Sequence, residues 1–490
     1  MKTMKTLLSA SLALTALSGC QPETEKPNIL FLLVDDMQSD AIAALGNKNV
    51  YTPNIDGLIA EGVTFTRTYT NGALCGALSM PSRAMLMTGR GVFEVQSDGM
   101  KIPECMVTLP EQLRANGYQT FATGKWHSDH ASFNRSFAAG ENIFFGGMHP
   151  YEKNGHCSPR LHHYDRTGQY KETSFIGEEF SSKMFADAAI EFLSTAAKAQ
   201  NPFMAFVSFT SPHDPRNQLP DYGKKYKAKD IILPTNFLPQ HPFDNGELAI
   251  RDEQILPPPR TGEQLQEELA LYYGMVSEVD EQIGRVLNAL NATGEREHTV
   301  IVFASDNGLA MGQNGLLGKQ SLYEHSVGVP MLIIDPRSKK HGFKTDALCY
   351  LYDLYPTLCD IVGIEIPASV TGVSLKPLLE GTTDKLRDDI FLAYSNQQRA
   401  LVKDDYKYII YNVEGKITEQ LFNLKKDPKE MANLADAMPQ KAAAYKEMLI
   451  QRLKEQQDFC NIDTPLWWKD GHKITWDELI NLVISQNFTS

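Results

Sequence analysis

Four groups of residues in this 490-residue chain have types and spacings that suit chemistry. The first is Ser79-Met80-Pro81-Ser82-Arg83, continued by Thr88-Gly89-Arg90. A helix is expected to start just after Ser79, where free backbone N–H groups and the helix dipole favour an anion. The second and third are Asp35-Asp36 and Asp306-Asn307, each directly after an apolar run. The fourth comprises Gly124-Lys125-Trp126-His127, Pro212-His213 and Gly318-Lys319. Taken singly, each has an ordinary structural reading. Adjacent aspartates after a strand are more often a turn or a helix cap than a metal site, and Lys125 and His127 suit a surface lysine and a core histidine. The chain holds 47 Lys+Arg against 60 Asp+Glu, a net charge of −13. That balance argues against a nucleic-acid partner read through a broad basic face, so an anionic substrate must be held by a local cluster.

The elements that must position these groups can be read from periodicity. Ile29 to Val34 is a continuous apolar run that stops at Asp35-Asp36. Continuous apolarity without alternation marks a strand covered on both faces, as in a parallel sheet. The same pattern recurs at Thr299 to Phe303, before Ser305-Asp306-Asn307-Gly308, and at Phe203 to Phe209, before Ser211-Pro212-His213. Polar residues thus collect at the carboxyl ends of buried strands, the edge where open α/β sheets bind ligands. Pro110 to Asn116, with Gly117 just beyond, predicts a short helix. Leu265, Leu269, Tyr272, Tyr273, Val276, Val279, Ile283, Val286, Leu287 and Leu290 recur at spacings of three and four, predicting a long amphipathic helix that ends near Gly294. Strands alternating with helices imply an α/β domain, a large doubly wound mixed sheet flanked by helices. Beyond about residue 385, Arg399 to Val402, an Asp404-Asp405 turn and Tyr406 to Tyr411 read as a hairpin. Gln420 to Leu424 adds a strand, and a charged helix runs from about Gln440 to Gln457. This part, 386–490, is expected to be a smaller C-terminal antiparallel α+β subdomain on a catalytic domain of residues 27–385. Pro257-Pro258-Pro259 marks an exposed connection.

The Ser79 segment resembles the type I sulfatase signature, in which Cys or Ser, any residue, Pro, Ser, Arg is followed after four residues by Thr-Gly. The resemblance runs from Pro27 to about Leu434 and implies an alkaline phosphatase-like fold. In that family the first signature residue is oxidised to Cα-formylglycine (3-oxoalanine). This chain resembles the serine type, since Cys75 is followed by Ala77 where proline is needed. Asp35, Asp36, Asp306 and Asn307 match the family's calcium ligands, with residue 79 beside them. Such hard oxygen donors suit Ca²⁺. Lys125, His127, His213 and Lys319 match further family positions, and Leu421-Phe422-Asn423-Leu424 through Asn433-Leu434 matches its closing turn. The joint occurrence of these segments in one order outweighs their separate structural readings. The resemblance implies that calcium, Lys125, Lys319 and Arg83 spread the charge of a sulfate monoester. The hydrated aldehyde at residue 79, deprotonated with help from Asp306, attacks sulfur, and His213 protonates the leaving alcohol. His127 then removes the proton from the second hydroxyl, expelling sulfate and restoring the aldehyde.

Lys2 and Lys5 precede an apolar run from Leu7 to Leu17, followed by Leu17-Ser18-Gly19-Cys20. This pattern reads as an export signal over residues 1–19 that is too short to span a bilayer. Its end resembles a bacterial lipobox, with Cys20 as the lipidated mature N-terminus and residues 20–26 as a tether. Removing residues 1–19 takes away two lysines and no acids, so −13 becomes −15. The remaining cysteines, Cys75, Cys105, Cys157, Cys349, Cys359 and Cys460, form no disulfide framework by spacing. The expected enzyme is a calcium-dependent sulfatase acting on a sulfated carbohydrate, of the marine algal type such as carrageenan or ulvan. It would be lipid-anchored in a bacterial cell envelope, in the periplasm or an outer-membrane leaflet, with a formylglycine-generating maturase as partner during biogenesis. The carbohydrate expectation leans on this setting and on inserts at about residues 140–175 and 215–265. His149, His156, His162, His163, Arg160 and Arg166 are candidates to line its cleft, and Trp467-Trp468 are expected to pack. Alternatives are a phosphate or phosphonate ester hydrolase of the same superfamily, or a non-catalytic sulfated-glycan-binding lipoprotein whose Ser79 is never oxidised.

Overall fold

The apolar run that opens the catalytic region forms β1 (Asn28–Val34), buried along its whole length. Its side chains alternate between two cores. Ile29, Phe31 and Leu33 pack on one face of the sheet, and Leu30, Leu32 and Val34 on the other. Two buried faces remove the need for a polar side, which is why this strand reads as unbroken apolarity. The computed structural model describes residues 26–456, apart from 96–98, 218 and 339. The export signal, Cys20, residues 21–25 of the tether and Trp467-Trp468 lie outside the described residues.

Further strands follow in chain order: β2 (Val63–Tyr69), β3 (Gly72–Ala73), β4 (Gln119–Lys125), β5 (Ala139–Phe144), β6 (Arg160–His162) and β7 (Ser174–Ile176). They continue with β8 (Phe203–Ser208), β9 (Thr299–Ser305), β10 (Gly328–Ile334), β11 (Phe343–Thr345) and β12 (Cys349–Tyr350). The large sheet has the order β11-β2-β10-β9-β1-β8-β4-β5-β6-β7, with β12 also paired to β2. Its centre, β9-β1-β8-β4-β5, is parallel, whereas β10 runs antiparallel to β9 and β2. One face is covered by helices Leu109–Ala115 and Leu354–Val362, the other by Ser181–Ala196 and Gly262–Thr293. The sheet is therefore mixed and wound on both sides, with an alkaline phosphatase-like architecture. The long helix begins with a Thr261–Gln264 capping box and ends at Gly294, as its spacing predicts. Leu109–Ala115 begins one residue before the predicted start, with Thr108 and Glu111 forming its capping box.

The smaller sheet contains β13 (Asp389–Tyr394), β14 (Gln398–Lys403), β15 (Tyr406–Val413) and β16 (Lys416–Asn423), which pair antiparallel with one another in chain order. Helix Pro439–Glu455 buries Ala442, Tyr445, Leu449 and Leu453 in the core of this sheet. β16 starts earlier than the expected Gln420, because the Glu414-Gly415 turn closes a hairpin whose first residues, Lys416 and Ile417, are exposed. The sheet also recruits β3, which runs parallel to β13, so it is not built from C-terminal chain alone. A side chain on Gly72 would place its Cβ 1.9 Å from the carbonyl oxygen of Ala393, and only glycine allows this approach. The smaller sheet thereby anchors the segment that leads into Ser79. Among the described residues, no helix is long and apolar enough to cross a membrane.

Candidate active site

Four parallel strands deliver most of the site from their carboxyl ends. Asp35-Asp36 follow β1, Lys125 ends β4 with His127 two residues on, His213 lies beyond β8, and Asp306-Asn307 follow β9. Asp36 and His127 both adopt left-handed backbone conformations, φ 63° and 64°, an outlier that tends to cluster at functional sites. Ser79 is the first residue of helix Ser79–Thr88 rather than the residue before it. Leu78 occupies the cap position. The Ser79 hydroxyl therefore does not cap the helix but points to the strand ends, donating to Asn307 Oδ1 at 2.8 Å, with Asp35 Oδ1 at 3.5 Å.

Three carboxylates, Asp35, Asp36 and Asp306, are buried together and opposed by three cations. Lys125 Nζ donates to Asp35 Oδ2 at 2.6 Å, and Arg83 Nε to Asp306 Oδ2 at 2.7 Å. Lys319 Nζ bridges Asp36 Oδ1 at 2.5 Å and Ser79 Oγ at 3.0 Å. Arg83 is held further by the Lys125 carbonyl at 2.9 Å and Ser208 Oγ at 2.6 Å. Burial, then the neighbouring Asp306, pushes the Asp35 carboxyl up to about 6 despite Lys125. Burial also works against the Asp306 charge, but Arg83, Lys125 and Lys319 outweigh it and hold that group at about 2. Asp306 Oδ1 accepts from the backbone N–H groups of Asp36 and Asn307, so both its oxygens are engaged. Burial lowers the Lys125 ammonium, whereas Asp36 and Asp35 raise that of Lys319 against the same penalty.

The carboxylates and the Asn307 amide oxygen are hard donors, and Asp35, Asp36 and Asp306 are gathered in one buried site. Both facts fit a hard divalent cation. Asp35, Asp36 and His213 have ligand atoms that all lie within 4.8 Å of one another. His213 Nδ1 donates to the Asp214 carbonyl at 2.7 Å, because a carbonyl can only accept. Its Nε2 thus faces Asp36 Oδ2 at 3.5 Å and the pocket. At His127 one ring edge reaches the pocket while Nδ1 is buried. Burial, followed by Lys125, Arg83 and Lys319, holds its imidazole well below the ordinary histidine range, hence neutral. A side chain on Gly147 would bring Cβ to 2.9 Å from His127 Nε2.

Ser79, His127, His213 and Lys319 floor a cavity of about 480 Å³, with the other site residues buried behind them. The amino-acid sequence matches the family described as Sulfatase over residues 27–364. The chain belongs to the sulfatase family. The model described as N-sulphoglucosamine sulphohydrolase, C-terminal, matches residues 312–458 of this sulfatase. It is 30% identical to an arylsulfatase of Clostridium perfringens, over 92% of this chain and 97% of the relative. It is 27% identical to an N-acetylglucosamine-6-O-sulfatase of Bacteroides thetaiotaomicron, over 93% and 91%. A solved structure in complex with its substrate D-glucosamine-2-N,6-O-disulfate shares the fold with a TM-score of 0.73 and 24% identity, covering 90% of this chain and 99% of that one. Membership makes this sulfatase a sulfuric ester hydrolase and implies a metal ion and a formylglycine.

The structure gathers Ser79, Arg83, Lys125, His127, His213, Lys319, Asp35, Asp36, Asp306 and Asn307 into one site. It does not bring the suggested cleft residues there. His149 and His156 are buried behind the His213 loop, with His156 Nε2 3.0 Å from the His213 carbonyl and Nδ1 2.9 Å from Ser181 Oγ. His162, His163, Arg160 and Arg166 do not line the cavity either. Its upper wall is instead Gly147, Met148, Glu247, Ile250, Arg251, Asp252 and Gln320. Sequence reasoning missed these, together with Asp214. The run Arg251-Asp252-Glu253 and the aspartate next to His213 were the only available signals.

Proposed function

We propose that this sulfatase removes sulfate from a sulfated carbohydrate, using Ser79 oxidised to formylglycine and calcium held by Asp35, Asp36, Asp306 and Asn307. The observation that carries this reading is the convergence on Ser79 Oγ of Asn307, Asp35 and Lys319, at a helix start on the floor of an open cavity. An aldehyde at residue 79 supplies a carbon whose hydrate is a nucleophile and can be regenerated, and calcium supplies positive charge against the sulfuryl oxygens. The chain's own groups do the rest. Lys319 on the cavity floor, backed by the buried Lys125 and Arg83, stabilises the developing charge on sulfate. His213, oriented through Nδ1, presents Nε2 to the leaving oxygen and, in its doubly protonated form, donates the Nε2 proton and keeps the one on Nδ1. His127, kept neutral by burial and its cationic neighbours, accepts a proton from residue 79.

The carbohydrate class is supported by the relative named an N-acetylglucosamine-6-O-sulfatase; a marine algal polysaccharide fragment remains the first substrate to try. We place the enzyme in a bacterial envelope, tethered through lipid on Cys20, with a maturase acting on residue 79 during biogenesis. We also propose a functional division near residue 385, with the smaller sheet steadying the approach to Ser79. Rates on the sulfate and phosphate esters of one alcohol test the reaction. A strong preference for sulfate supports it, and matched rates or a phosphate preference overturn it.

A further inference from the structure

The loop that carries His213 faces the cavity on one side and an insert segment, residues 151–157, on the other. That segment makes two short 3₁₀ turns, Tyr151–Lys153 and Gly155–Cys157. It grips the loop at four places. The Tyr151 hydroxyl donates to Asp214 Oδ2 at 3.2 Å. The backbone N–H of His156 donates to Asn217 Oδ1 at 2.9 Å, and His156 Nε2 lies 3.0 Å from the His213 carbonyl oxygen. Gly155 lies against Pro215, where a Cβ would come to 2.5 Å from Cγ, and its φ of 54° is one that glycine adopts freely.

The protons of the His156 ring can be assigned. Burial holds this imidazole down at about 3, so it is neutral and has a single N–H. The His213 carbonyl can only accept, which puts that N–H on Nε2. Nδ1 must then accept, and the hydroxyls of Ser181 at 2.9 Å and Thr210 at 3.2 Å face it. Both ring nitrogens of a side chain that is 1% exposed are therefore engaged. Ser181 opens helix Ser181–Ala196, and Thr210 lies two residues beyond β8. The ring thus ties the His213 backbone to two regular elements of the large sheet.

We propose that His156 is a positioning residue for the proton donor, its Nε2–H holding the His213 backbone so that the His213 ring meets the leaving oxygen. The inference rests on the reading of His213 as general acid. His156 does not line the cavity, so its effect passes through His213 and is largest where the leaving group most needs a proton. Displacing a catalytic group by about 1 Å costs up to roughly 10²-fold in rate.

The test uses the full chain carrying formylglycine at residue 79, verified by mass spectrometry, on 4-nitrophenyl sulfate and phenyl sulfate. Nitrophenolate leaves as the anion, whereas a phenol of pKa about 10 leaves better with a proton. The readout is kcat/KM on phenyl sulfate divided by that on nitrophenyl sulfate. In His156→Leu, which removes the N–H, this ratio should fall roughly tenfold, part of the 10²–10⁴-fold that a general acid is worth. In His156→Gln, whose amide N–H can reach the same carbonyl, it should stay within about threefold of wild type. Tyr151→Phe, at a half-exposed position of the same segment, should lower it by about threefold. Equal losses on the two esters in His156→Leu, or a ratio as low in His156→Gln as in His156→Leu, overturn the inference. If His156→Leu does not fold, an unchanged ratio in Tyr151→Phe overturns it. His213→Ala separates the two readings. Equal losses in that variant overturn the general-acid reading and the inference with it, whereas unequal losses there beside an unchanged ratio in His156→Leu overturn the inference alone.

Discussion

Glu278 should make this protein lose stability as pH rises, and Glu278→Gln should prevent that loss. The residue sits within helix Gly262–Thr293 at 5% exposure, and its Oε2 has no hydrogen-bond partner. Ser182 is beside it, and Ser182 Oγ donates to Ser211 Oγ at 3.0 Å, so this carboxyl backs the loop that carries His213. Burial is the dominant cause that pushes the carboxyl from 4.5 up to about 8. Below pH 4.5 both folded and unfolded chains hold the proton, and the contribution to stability is fully present. Between 4.5 and about 8 only the folded chain holds it, so stability falls as pH rises, by up to about 1.4 kcal/mol per pH unit. At pH 7 the accumulated loss is about 3 kcal/mol. An unfolding entropy of roughly 2.1 cal/mol/K per residue converts this to about 3 °C in Tm for a chain of this length. Glutamine is neutral throughout, so Glu278→Gln should melt at about the wild-type temperature near pH 5 and about 3 °C higher at pH 7. Calorimetric scans at one fixed rate across pH 5–8 read this directly. A pH-independent offset between the two proteins, or a variant that melts lower at pH 7, would refute the reasoning.

Chelation should abolish activity, and calcium should restore it better than zinc, because the site's donors are hard oxygens; full activity after exhaustive chelation, with no metal detected, contradicts this. Ser79→Ala should fold, with unchanged circular dichroism, and hydrolyse nothing. His213→Ala should lose roughly 10²–10⁴-fold in kcat/KM on a sulfated sugar, whose leaving alkoxide needs a proton, and clearly less on nitrophenyl sulfate. Equal losses on the two substrates would show that His213 binds sulfate or supports the site. His127→Ala should stall either substrate after one turnover, with a sulfated residue 79 visible by mass spectrometry.

The strand-end residues were legible because the physics that buries them is local. A strand covered on both faces is continuously apolar, so the point where it stops, at Asp35 or Asp306, marks the carboxyl edge of the sheet. The long helix was equally plain, since its apolar residues from Leu265 to Leu290 recur at threes and fours, although its middle, Tyr272 to Asp280, is buried on every side. The wall of the cavity was not legible. Glu247 sits in a loop and Arg251 and Asp252 open a four-residue helix, Arg251–Gln254, and only the tertiary fold brings them to the cavity beside His213. His149 and His156 misled in the opposite direction. Polar rings in an insert suggest a cleft, yet these two are buried scaffolding, with His156 placed against the His213 carbonyl and Ser181. β3 escaped notice because two residues have no periodicity, although the close approach at Gly72 makes the pairing specific.

The most direct test of the central claim is the mass of the peptide that carries residue 79, measured on active protein from a host with a serine-competent maturase. The account predicts a residue lighter than serine by two hydrogen atoms, trapped as a hydrazone by an aldehyde reagent, with sulfate release rising in proportion to the modified fraction. Unmodified Ser79 in a preparation that hydrolyses sulfate esters at full rate would contradict it.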